Sequence, residues 1–169
     1  MALHFLTSSE QTIDVVSTCD PSVKIDESRY YEYLNTGDIS LLELKDDATI
    51  FKLKPLTPED RENAEIAAGA LTRSELGRFL FVNSPDDEKE KAIYHHSLSD
   101  DERKAYSEYA AYIGRVTIEM IKKSLVEING ESASFDMIQS IRPDRDRLQT
   151  ITELSIHVQR ISLVGDLGK

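Results

Sequence analysis

Residues 99–130 read SDDERKAYSEYAAYIGRVTIEMIKKSLVEING, and this stretch sets the expected architecture. Ser99 is a good helix N-cap, and Glu102 follows three residues later, where its carboxylate reaches back to the Ser99 amide. Asp100 and Asp101 place negative charge in the first turn, against the positive end of the helix dipole. Tyr106, Tyr109, Ile113, Val116 and Met120 then recur at steps of three and four, which is one apolar helix face. Ile121, Leu125 and Ile128 widen that face, and Asn129-Gly130 supplies the expected C-terminal stop. The expectation is one long central helix with a broad buried stripe.

Upstream, the pattern changes from helical to alternating. Leu3 and Phe5 alternate, and TIDVVST puts Ile13, Val15 and Ser17 on one side of a strand. Asp20-Pro21 signals a turn, Val23 and Ile25 fit a short second strand, and DESRYYEYLNTGD fits a short helix ending at Gly37. ISLLELK and TIFKLK flank Asp46-Asp47-Ala48 and predict a hairpin. Thr57-Pro58-Glu59-Asp60 is a helix start, with Thr as cap, Pro in the first turn and acids beside it. SELGRFLFV either continues that helix or opens another near Thr72, and residues 86–98 form a short helix or an acidic loop. FDMIQSI is a helical turn or a strand, and a last helix spans Pro143 to Leu163, ended by Gly165 before a loose tail. The fold class is therefore α+β: a small β-rich N-terminal region, residues 1–56, packed on a C-terminal helical bundle, residues 57–169. Only Lys54-Pro55-Leu56 joins the two, so one shared core is expected.

Composition narrows the function classes. The 169 residues suffice for a sizeable core, and no apolar run reaches the roughly 20 residues of a membrane span. The start, MALHFLTSSEQ, has neither the basic opening nor the long apolar segment of a secretory signal. The single cysteine, Cys19, has no internal disulfide partner, as in a cytosolic chain. Net charge is −11, and residues 1–105 carry most of the excess acid. Without a basic patch the chain is a poor nucleic-acid binder, because phosphate neutralisation supplies most of that affinity. No membrane or nucleic-acid partner is expected.

Chemistry-bearing motifs are sparse. His95 and His96 are adjacent and so point different ways on a helix, and the spacing matches no zinc or calcium motif. His4 stands alone, and His157, inside an apolar helix face, fits a core or interface residue. Cys19 lies in TCDP with no histidine near it in sequence, and a lone cysteine is more often a small apolar residue than a nucleophile. The seven glycines are scattered, so no phosphate-cradling loop is present. The expectation is a protein that is not an enzyme and needs no cofactor or metal. Tyrosines carry the remaining signal, since they supply large area with a polar tip and are enriched at interfaces. Tyr106 and Tyr109 fit the core, while Tyr30, Tyr31, Tyr33 and Tyr112 are the candidate protein interface.

Residues 48–65, ATIFKLKPLTPEDRENAE, resemble the opening of small tailed-bacteriophage proteins of the tail-assembly-chaperone type. In those a β arm ending in a basic-Pro-Leu-Thr turn feeds an acidic-capped helix, matched here by Phe51, Leu53, Lys54, Pro55, Leu56 and Thr57. Residues 31–47, YEYLNTGDISLLELKDD, likewise resemble N-terminal regions of small phage proteins. The resemblance implies a non-enzymatic virion-structural or tail-assembly protein that binds other phage structural proteins and forms a homo-oligomer. Its implied location is the host cytoplasm during assembly, or the virion itself. Two other readings follow from the residues alone. One is an acidic inhibitor of a host nucleic-acid-handling protein, binding less tightly as salt rises. The other is an enzyme or metal protein in which His95 or His96 meets two or more acids.

Overall fold

In the computed structural model, residues 11–70 and 74–164 are described, with the side chains of 163 and 164 left aside. The expected strand at Leu3 and Phe5, His4, the helix start near Thr72, and the stop at Gly165 with its tail lie outside them. In chain order the elements are β1 (Ile13–Val16), β2 (Val23–Ile25), α1 (Tyr30–Thr36), β3 (Leu42–Leu44), β4 (Ile50–Leu53), α2 (Pro58–Ala67), α3 (Glu75–Val82) and α4 (Glu88–Ser97). They continue with α5 (Asp100–Ser124), β5 (Leu125–Ile128), β6 (Glu131–Ser132), α6 (Phe135–Gln139) and α7 (Asp144–Val164). The chain is α+β, with strands gathered toward the N-terminus, a helical region after them, and one long helix, α5.

The helix starts read from the sequence form locally. Ser99 N–H donates to Glu102 Oε2 at 2.8 Å, and Thr57 Oγ1 accepts from the Asp60 amide at 3.1 Å while Asp60 accepts in return. Gly37, at φ +67°, closes α1 in the left-handed conformation that glycine adopts without a Cβ penalty. Residues 75–82 form a helix separate from α2, capped by Ser74, and α4 is a helix capped by Asp87.

The chain divides into two compact units, Met1–Arg61 with Met120–Lys169, and Glu62–Glu119. This differs from the expected boundary at residue 56: the C-terminal helix belongs with the N-terminal strands.

In the first unit, a four-stranded antiparallel sheet has the order β1-β4-β5-β6, and β2 pairs with β3 in a second small sheet. The expected hairpin between the ISLLELK and TIFKLK segments does not form. Instead two long arms pair twice, Ile13 to Val16 against Leu53 to Ile50, and Val23 to Ile25 against Leu44 to Leu42. Six residues, 17–22, interrupt one arm and five, 45–49, the other. Asp20 spans the break, its two carboxylate oxygens accepting from the amides of Ser22 at 2.8 Å and Thr49 at 2.9 Å.

The end of the long helix is the second correction. Helix α5 stops at Ser124, and Leu125–Ile128 become a strand against β4, with Phe51 opposite Ile128. Asn129-Gly130, at φ +52° and +80°, is the turn of the β5–β6 hairpin rather than a helix cap. The Asn129 side chain also accepts from the Ile50 amide at 2.8 Å, fixing the turn to β4. Helix α7 packs on α1 and α6, presenting Thr150, Glu153, Leu154, His157, Val158 and Ile161, all at most 3% exposed. The i, i+3, i+4 spacing of these six is one helix face.

In the second unit, α3 meets α5 closely at Gly77. A Cβ there would lie 2.2 Å from the Ala105 carbonyl oxygen, so glycine is what permits the approach. Phe81, Tyr106, Tyr109 and Tyr112 form a chain of rings at centroid spacings of 5.5–5.7 Å. Leu80, Leu98 and Ala68 complete the two apolar clusters of this unit.

Candidate interaction surface

The four tyrosines expected at an interface separate by burial. Tyr31 is 74% exposed, with its ring packed edge-on against Tyr30. Tyr30 is half-buried, and its hydroxyl donates to Glu153 Oε1 at 3.2 Å. Burial first, then the Glu153 charge, pushes the Tyr30 hydroxyl pKa up to about 12.

Tyr33 and Tyr112 correct the expectation. Both are core residues that present no surface to a partner, Tyr112 beside Tyr109 and Ala68. Tyr33 has a different task. Its hydroxyl donates to the Val16 carbonyl at 2.6 Å and accepts from the Val16 amide at 2.9 Å. Among the described residues strand β1 is an edge of its sheet, so one phenol satisfies two backbone groups that β4 does not reach. Burial, ahead of the charge on Glu153, raises the Tyr33 pKa to about 12, and the group stays protonated. Tyr106 and Tyr109 are buried as core residues.

The exposed apolar surface lies elsewhere. Leu76, Phe79 and Val82 of α3 are 48%, 64% and 70% exposed, at a spacing that puts them on one helix face. Gly77 and Leu80 occupy the opposite, buried face. Helix α4 beside it in the chain has no buried residue, and Ile93 is 70% exposed. Tyr94 holds that helix by donating to the Leu80 carbonyl at 3.0 Å, and His95 stacks edge-on against Tyr106 at 4.2 Å. His96 is exposed. Among the described residues no three His, Cys, Asp or Glu side chains gather to hold a metal ion.

The first unit contains a polar centre that the sequence reading missed. Glu153, 1% exposed, accepts from five donors: Ser17 Oγ at 2.9 Å, Thr18 N at 2.8 Å, Thr18 Oγ1 at 2.5 Å, Tyr30 OH at 3.2 Å and Gln149 Nε2 at 2.9 Å. Those donors compensate the burial of a carboxylate. Cys19 Sγ touches Ser17 Oγ, the Asp146 carbonyl and Thr150 Oγ1 at 3.1–3.2 Å, none of them a base that would take its proton. Ser17, Cys19 and Thr150 wall a cleft of about 440 Å³ floored by Phe51, Ile128 and Ile138. The arrangement joins the β1–β2 turn to α7.

His157 is fully buried against the Tyr33 ring, centroids 5.1 Å apart. Burial, reinforced by Arg160, lowers its pKa to about 3, so it is neutral near pH 7. Its Nε2 has no hydrogen-bond partner among the described residues. No helix among the described residues is long and apolar enough to cross a membrane. No family model, curated protein or solved structure matches the chain.

Proposed function

We propose that the chain is a non-enzymatic protein of a tailed bacteriophage, a virion-structural or tail-assembly component that acts by binding other phage structural proteins. The observation that carries this reading is the exposed apolar face Leu76, Phe79 and Val82 on α3. Apolar side chains aligned on one helix face are a common anchor for a partner's groove. The strand–Pro–Leu–Thr–helix junction within residues 48–65, which resembles the tail-assembly-chaperone opening, supports the phage context. The working site is then the host cytoplasm during assembly, or the particle if the protein stays in it. Tyr31 is retained as a secondary contact on the first unit, while Glu153 and its donors have a structural task.

The test is mass in solution, by light scattering on the purified chain across a concentration series, alone and mixed with the structural proteins of a dissociated tailed-phage particle. A mass above one chain in either series supports the reading. A strict single-chain mass in both, with no complex, would overturn it.

A further inference from the structure

Helix α4 lies on the second unit without being buried in it, and we infer that it is a detachable strap. It lifts off as a block while α3 and α5 stay folded, and so uncovers Leu80 and Tyr106. The inference stands apart from the protein-binding reading. Its first support is composition. EKEKAIYHHS opens with four charges of alternating sign, and none of its ten residues is buried. Only Tyr94 and His95 are even half-buried. A helix of this length with no buried face falls short of the roughly 12–15 residues that make an isolated helix even marginal in water.

The second support is how α4 is attached. Tyr94 donates to the Leu80 carbonyl at 3.0 Å and packs on the Leu80–Leu98–Tyr106 cluster, and the His95 ring meets the Tyr106 ring edge-on at 4.2 Å. The Leu80 carbonyl is one of the last four of α3, where water replaces a lost donor at little cost.

The third is that the neighbours do not depend on α4. Gly77 brings α3 against the Ala105 backbone, and Phe81 stays on the Tyr106 and Tyr109 rings at 5.5 Å. The caps are separate as well. Asp87 accepts from the Lys89 and Glu90 amides of α4, whereas Ser99 and Glu102 cap α5. Leu98, 8% exposed, stays seated as the outgoing anchor, and residues 83–87 form the incoming link. Elements held this way open locally well before the whole fold does.

The test is native-state hydrogen exchange on the full chain. Amides 91–97 should exchange as one block, at least about 100-fold faster than amides 104–120 of α5. Tyr94→Phe should speed that block by about 2- to 12-fold, the worth of one hydrogen bond, and leave α5 unchanged. Ile93→Pro, at an exposed position inside α4, breaks the helix outright. In that variant α3 and α5 should keep their protection, and an anilinonaphthalene sulfonate dye should brighten on the uncovered rings. Equal protection of α4 and α5, or Tyr94→Phe speeding both by one factor, overturns the inference. So does loss of α3 and α5 protection in Ile93→Pro, or a dye signal no brighter than that of the wild type.

Discussion

Replacing Tyr33 by Phe removes one oxygen atom and should cost far more than the loss of one average hydrogen bond. The ring remains, so no large cavity opens, and the edge-on contact with His157 at 5.1 Å is kept. What is lost is the partner of both the amide and the carbonyl of Val16, which is 1% exposed. A buried backbone group left unsatisfied costs about 1–3 kcal/mol, so the two together should cost about 2–6 kcal/mol. Two measurements read this: the urea midpoint of the transition of the first unit, and the exchange rate of the Val16 amide. The midpoint should fall with little change in slope, and the Val16 amide should lose protection before its neighbours on β4. A loss below about 0.5 kcal/mol, the range of an ordinary surface change, would refute the claim that this phenol caps the strand edge.

Acid should weaken the same unit through His157. Its folded pKa of about 3 lies below the ordinary value of 6.5, so its contribution is complete above about pH 6.5 and falls as the pH drops toward 3. At about 1.4 kcal/mol per pH unit the loss reaches about 2 kcal/mol at pH 5, and His157→Leu should flatten that part of the stability–pH curve. Glu153→Gln turns an acceptor toward five donors and should destabilise by about 2–3 kcal/mol, read by thermal melting at pH 7. Gly77→Ala should cost about 1–3 kcal/mol, because its Cβ meets the Ala105 backbone, whereas Gly114→Ala, with nothing within 4 Å, should stabilise by about 0.5–1 kcal/mol. Parallel melts of the two glycine variants decide it, and equal effects would contradict the α3–α5 crossing.

Local chemistry was legible in the sequence where the partners lie within one turn. The Ser99–Glu102 and Thr57–Asp60 caps and the Gly37 stop depend on residues three or four apart, and each forms as read. Leu125–Ile128 was misread because Leu, Val and Ile serve a helix face or a strand equally well, and β4, more than 70 residues away, decides between them. The hairpin was misread for a related reason, since its turn chemistry is ordinary but each arm finds its partner across α1.

The candidate site was legible only in part. Tyr30, Tyr33 and Leu34 share the i, i+3, i+4 face, which signals burial for Tyr33 and exposure for Tyr31. Tyr112 likewise falls three after Tyr109 and four before Val116, a position in the core stripe. Glu153 carried a signal as well, being a carboxylate in register with Leu154, His157 and Val158, but nothing local reveals that residues 17 and 18 supply its donors. The α3 face stayed hidden because ELGRFLFV is apolar nearly all round, and only the packing of Gly77 and Leu80 shows which side is covered.

The most direct test of the central claim, that the α3 face binds phage structural proteins, is affinity capture against the dissociated components of a tailed-phage particle. The wild type is compared with a folded Leu76→Ser, Phe79→Ser, Val82→Ser variant. The account predicts a defined structural protein retained by the wild type and lost by the variant at unchanged helix content. Equal retention by both chains would contradict it.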